Sequence, residues 1–230
     1  MAEFFRQLVP RPPEASAVER PAARFVEVAA RLGDGWTSLL RSAELVERVG
    51  GERRQAGERA AAAVLLPVVG GRSADDPARL VLIRRATHLR ANPGEVAFAG
   101  GRLEPGESAE QAALREALEE IKLDPRLVRI VGRLPLVYRV TRKEGIAPFV
   151  ATVEGWPEMA PNPAEVDGLL VVALGELGDP GRYFEESWPM PDGTVRLMHF
   201  FRLEEDMLWG ASAHILTLLL DRLAEAALEG

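Results

Sequence analysis

The 230-residue chain is 47% hydrophobic and 27% charged, a globular balance with length for one large domain or one domain plus an extension. A formal net charge of −7 with no long basic stripe argues against a nucleic-acid partner. The longest apolar run, 60–69, is interrupted by Pro67 and too short to span a bilayer, so no membrane partner is expected. The absence of cysteine excludes disulfides, thiolate metal sites and cysteine nucleophiles. His88, His199 and His214 sit at no metal-ligand spacing, so any metal should be a hard cation held by carboxylates.

Near the start, Glu3 and Arg6 flank Phe4 and Phe5, and Pro10, Pro12 and Pro13 follow. This is not a signal-peptide pattern, and a cytoplasmic protein is expected. Two helical stretches follow, about 22–32 and 36–49, separated by Gly33, Asp34 and Gly35; Leu39, Leu40, Leu45 and Val46 form a stripe in the second. Gly50, Gly51 and a charged run to Arg59 suggest a linker. Residues 1–55 are therefore expected to form an N-terminal helical extension, a packing or dimer-forming element, and residues 56–230 the main domain.

From residue 60 short apolar runs predict strands at 61–69, 80–83, 128–136, 146–153 and 194–203, with a short alternating piece at 95–98. The segment 169–174 is compatible with strand or helix. Helices are predicted at 108–121 and 211–228. Strands interleaved with helices give a mixed α/β or α+β domain.

The helix at 108–121 carries the chemistry. Ser108 and Gln111 form a capping-box signal at its start. Leu114, Leu118 and Ile121 are expected on an inward face, with Glu116, Glu119 and Glu120 clustered opposite. Like charges so placed repel, and a bound Mg²⁺ or Mn²⁺ would reverse that. A solvated glutamate face is the bland alternative, but the frame around it is specific. Gly101, five residues, Glu107, seven residues, Arg115-Glu116, two residues and Glu119-Glu120 fix six identities. At about 10% usage each, chance supplies this on the order of 10⁻⁶ per start.

This frame resembles the Nudix box, with Ala117 and Leu123 in its apolar slots and Lys122 where the second glycine belongs. That glycine often ends the helix in a left-handed conformation costing other residues roughly 1 kcal/mol, so an atypical exit is expected. The resemblance implies the Nudix fold, a mixed β-sheet sandwiched between α-helices. It also implies a divalent-cation-dependent pyrophosphohydrolase acting on a small nucleoside diphosphate substrate. Glu116 and Glu120 would be metal ligands, Glu119 a further ligand or proton acceptor, and the Gly101 carbonyl an additional ligand. Arg115 would pair with Glu107 or Glu119 and orient the carboxylates. Glu165, in Asn162-Pro163-Ala164-Glu165-Val166, corresponds to a loop glutamate that serves some Nudix enzymes as base or extra ligand.

Upstream, Arg85, Leu89, Arg90, Gly94, Val96, Phe98, Gly100 and Gly101 resemble the motif of the coenzyme A pyrophosphatase branch. Ala86, Asn92 and Ala99 replace its serine, histidine and proline. By that resemblance Arg85, Arg90 and Gly100 would bind substrate, and coenzyme A would be split to 3′,5′-ADP and a 4′-phosphopantetheine species. ADP-ribose or another nucleoside diphosphate is the alternative substrate. A non-catalytic nucleotide-binding module is the alternative of another class. His88 is read as hydrogen-bonded surface, and His214 and Trp188 as packing.

Overall fold

A computed structural model describes residues 15–18, 23–48, 60–71, 73, 76–138, 145–190 and 192–228. Its centre is a mixed sheet built on β2 (Ala60–Val69), which runs parallel to β8 (Gly145–Val153) and antiparallel to β3 (Arg79–Arg85). The order β4-β3-β2-β8-β6 includes β4 (Val96–Ala97) and β6 (Val128–Arg133). Off this path, β5 (Gly100–Arg102) pairs with β2, β7 (Val137–Tyr138) with β8, and β9 (Val166–Ala173) with β3. Alternation along β2 and β3 decides what each face meets. Ala63, Leu65, Val69, Val81 and Ile83 pack with the helix Ala109–Ile121, whereas Leu66, Val68, Leu80 and Leu82 join a core on the other face.

That second core is closed by four helices: α1 (Arg24–Leu32), α2 (Asp34–Leu39), α3 (Ala43–Glu47) and the C-terminal helix Gly210–Leu228. Phe25, Val28, Trp36, Leu40, Leu45 and Val46 of the N-terminal helices are all buried in it. The Phe25 N–H donates to Asp221 Oδ1 at 2.8 Å, so a side chain of the C-terminal helix satisfies a free amide at the start of α1. The Trp36 Nε1–H donates to the Gly178 carbonyl at 2.9 Å. The stretch expected to be one helix at 36–49 is instead split between α2 and α3, with Ser42 capping α3 through the Glu44 N–H. Only Gly33 breaks α1 from α2, since Asp34 already begins α2. Leu39 leaves the expected stripe and is 41% exposed. The linker expected at 50–59 lies outside the described residues.

Beside this unit stands an antiparallel sheet of β1 (Ser16–Ala17), β10 (Tyr183–Pro189), β11 (Val195–Arg202) and β12 (Met207–Trp209). Strand β10 was not expected, because Glu185 and Glu186 interrupt any apolar alternation. Both are buried: Glu185 accepts the Tyr183 hydroxyl proton and Glu186 accepts from the Trp188 indole at 2.8 Å. Arg84 of β3 pairs with the buried Asp206, tying the two sheets together. The segment 169–174 resolves into the end of β9 followed by the first residue of a short helix, Leu174–Leu177.

In chain order the remaining helices are α4 (Ala109–Ile121), α5 (Leu174–Leu177) and α6 (Gly210–Leu228). No described helix is long and apolar enough to cross a membrane.

Candidate active site

Helix α4 begins with the expected capping box: Ser108 Oγ accepts from the Gln111 N–H at 3.2 Å, and Gln111 Oε1 from the Ser108 N–H at 2.9 Å. Its inward face differs from the expected one. Ala112, Ala113, Ala117, Glu120 and Ile121 are buried, while Leu118 is 42% exposed and Leu114 only half-buried. The alanines let α4 lie close against the sheet, so Glu120 is tucked beneath the loop leading into β5 rather than held toward solvent. The Gly100 N–H donates to Glu120 Oε2 at 2.9 Å.

The first two residues of β5, Gly100 and Gly101, are required as glycines by close approach. A Cβ on Gly100 would sit 2.3 Å from the Ala63 carbonyl oxygen, and one on Gly101 2.2 Å from Glu116 Oε1. Gly101→Ala should therefore displace Glu116 while leaving the core intact. An ångström-scale misplacement of a catalytic group costs about 100-fold. Turnover should fall by that order, with the thermal transition nearly unchanged.

Glu116, Glu120 and Glu165 converge, one oxygen from each lying within 4.8 Å of the others. Glu165 is brought in by a loop fastened to α4 and to the turn after β3. The Asn162 N–H donates to the Glu120 carbonyl at 2.8 Å, the Ala86 N–H to the Glu165 carbonyl at 2.8 Å, and a His88 ring nitrogen meets the Ala164 carbonyl at 3.1 Å. Burial first, then the neighbouring carboxylates, pushes Glu120 up to about 7. Burial likewise raises Glu116, against the opposing pull of Arg115. A half-enclosed set of three carboxyls that disfavour one another's charge fits a hard divalent cation in donor chemistry and spacing.

Arg115 organises the rim of this cluster. It donates twice to Glu107, at 2.9 and 3.1 Å, and also to Glu116, to Glu119 and to the Arg102 carbonyl. The fork to Glu107 is the leading cause of the raised Arg115 pKa, and it holds the Glu107 carboxyl below its usual range. Glu119 lies at the solvent edge, outside the three-carboxyl group, with its carboxylate on Arg115 at 3.0 Å.

Lys122 ends α4 at φ 59° and ψ 22°, the left-handed conformation a glycine would adopt. The Lys122 N–H reaches the Leu118 carbonyl at 3.1 Å, and the Leu123 N–H the Ala117 carbonyl at 3.3 Å. The exit is therefore regular in geometry despite its residue, and the strain rests on Lys122 alone. Lys122→Gly should stabilise the protein by about 0.5–1 kcal/mol, read from denaturant unfolding.

Gly100 and Gly101 also border a cleft of about 850 Å³, lined further by Arg85, Phe98, Trp209, His199 and His214. Arg85 Nε is fully enclosed and meets no hydrogen-bond partner among the described residues. Its charge favours ionisation of Glu120. Arg90 stays exposed in the turn and does not line the cleft, although the adjoining Ala91 and Asn92 do. From the sequence His214 reads as packing and His199 has no assigned role, because the two come from different elements and share no local spacing.

The mixed sheet between α4 and α6, with the glutamates of one helix gathered at a glycine loop, defines a Nudix-type domain. The NUDIX domain family model matches residues 58–192, and the chain belongs to the Nudix family. It is 34% identical over 161 residues to a Yersinia pestis protein described as an uncharacterized Nudix hydrolase, NudL, covering 67% of this chain and 75% of that one. It is 34% identical over 120 residues to Nudix hydrolase 3 of Caenorhabditis elegans, covering 51% of this chain but only 49% of the relative. A MutT/nudix family protein from Enterococcus faecalis shares the fold with a TM-score of 0.50 at 17% identity, over 76% of this chain and 65% of that one.

Proposed function

We propose that the protein is a Mg²⁺- or Mn²⁺-dependent pyrophosphohydrolase whose substrate is coenzyme A or a derivative, cleaved to 3′,5′-ADP and a 4′-phosphopantetheine species. The observation that carries the reading is the convergence of Glu116, Glu120 and Glu165, with Gly100 against Glu120, Gly101 against Glu116, and both glycines bordering a cleft of substrate size. In this proposal these three residues hold the cation, with the Gly101 carbonyl next to them. A divalent cation supplies charge neutralisation of the diphosphate and lowers the pKa of water.

The chain's own groups do the rest. Arg85, which lines the cleft, takes a phosphate oxygen through its guanidinium, and Gly100 borders the same space, where the substrate would lie. Arg90 adds positive charge at the rim. Arg115 fixes Glu116 and Glu107 in place, so the carboxylate set is organised before substrate arrives. Glu119 begins as the Arg115 partner at the solvent edge, from which it can accept a proton or join the ligand set. Support for coenzyme A comes from the retained Arg85, Leu89, Arg90, Gly94, Val96 and Phe98.

A panel of coenzyme A, ADP-ribose and other nucleoside diphosphates with Mn²⁺ and Mg²⁺ tests the assignment. Preferential release of 3′,5′-ADP from coenzyme A is expected. ADP-ribose turnover beside an inert coenzyme A would correct the substrate. No turnover of any diphosphate would reduce the protein to a nucleotide-binding module.

A further inference from the structure

At the cleft wall lined by β11 and α6, the His199 ring lies stacked on His214 with centroids 4.9 Å apart and planes inclined by 23°. His199 Nδ1 is 2.7 Å from the Tyr183 hydroxyl, which spends its single proton on Glu185. Toward Nδ1 that oxygen can only accept, so the His199 proton sits on Nδ1 and Nε2 keeps its lone pair. Neither Nε2 of His199 nor either nitrogen of His214 has a hydrogen-bond partner among the described residues, and none is sealed from solvent.

We infer that His199 is a specificity-determining residue that accepts a hydrogen bond from an N–H or O–H donor on the uncharged part of the substrate. This deepens the reading above and rests on it for the placing of the phosphates, at the Arg85 and Gly100–Gly101 end of the cleft. Burial, and then His214, lower His199 to about 4, and burial lowers His214 as well. At neutral pH both rings are uncharged, and His199 Nε2 has no proton to give a phosphate, whereas an amine, amide or hydroxyl meets a free acceptor there; the cation on this side of the cleft is Arg196, not the histidine pair. Tyr183 and Glu185 act as positioning residues that set the tautomer.

Calorimetry with ADP, coenzyme A and inorganic diphosphate in the presence of Mg²⁺ tests this with wild type, His199→Phe and His199→Gln. The phenyl ring should weaken ADP or coenzyme A by about tenfold, the scale of one lost hydrogen bond, and leave diphosphate within twofold. The glutamine, whose amide oxygen reaches the Nε2 position, should restore most of the affinity. A response to ADP places the donor on the nucleoside, and a response to coenzyme A alone places it on the pantetheine arm. Equal weakening of all three ligands, or of none, overturns the inference. A second reading needs no variant: in protein labelled with ¹⁵N-histidine, the unprotonated His199 Nε2 resonance should move with ADP or coenzyme A but not with diphosphate. No movement with either nucleotide, or the same movement with diphosphate, would also overturn it. Both measurements read binding, so a wild type that hydrolyses nothing yet shows these responses refutes the hydrolase reading and leaves this one standing.

Discussion

Glu120→Gln should abolish tight Mn²⁺ or Mg²⁺ binding and lower diphosphate turnover by at least about 100-fold, since even outer partners of metal ligands carry 10–100-fold. The substitution keeps the side chain's size and an oxygen for the Gly100 N–H at 2.9 Å, so the fold should survive. Its signature lies in the pH dependence of stability without metal. Burial raises the wild-type Glu120 carboxyl from 4.5 to about 7 in the folded state. The folded state therefore favours the protonated form. The contribution of Glu120 to stability is full in acid and is lost as pH rises from 4.5 through about 7, by an amount on the order of a few kcal/mol. The buried Asp221, raised to about 6 by burial, adds a loss of the same sign in both proteins. The difference between the two melting profiles thus isolates Glu120. The variant should be the more stable above neutrality without metal, and only the wild type should be stabilised by Mn²⁺. Identical profiles would remove Glu120 from the site.

Trp36→Ala should cost about 3–5 kcal/mol, a large share of the roughly 5–15 kcal/mol that holds a domain together. Trp36 is fully buried, and its indole N–H bonds the Gly178 carbonyl, which shortly precedes β10 of the second sheet. Gly178 has no room for a side chain, since a Cβ there would lie 2.1 Å from Leu40 Cδ1. Phe25 meets Tyr183 edge-on at 5.1 Å in the same core. The helices before residue 55 and the domain after it should consequently unfold in one transition. Denaturant unfolding followed by tryptophan fluorescence and by circular dichroism checks this. Separate transitions, or a loss below about 1 kcal/mol, would make the N-terminal helices an appendage.

The box helix was legible because its signals are local. A capping box, a carboxylate cluster and an arginine at fixed spacings all lie within one turn-and-helix segment; Ser108 and Gln111 pair as their spacing implies, and Arg115 pairs with both Glu107 and Glu119, the two partners the family resemblance offered. Its buried face was misjudged because leucine was weighed above alanine. Close approach to the sheet selects the small Ala113 and Ala117 and leaves Leu118 outside. Glu165 could be named from its loop motif, but its meeting with Glu116 and Glu120 depends on backbone bonds from Asn162 and Ala86. Strand β10 stayed hidden because its buried glutamates find tertiary partners that no sequence window contains. The histidine wall was invisible for the same reason.

If a divalent cation at the three glutamates lets this protein break a diphosphate bond, the reaction must stop without the ion. Phosphorus-31 NMR of one sample tests it: metal-free protein with coenzyme A and ADP-ribose, before and after addition of Mg²⁺. Diphosphate resonances should persist until the cation is added and then give way to monophosphate resonances. Resonances unchanged after the addition, or lost equally without it, would rule out cation-dependent hydrolysis at this site.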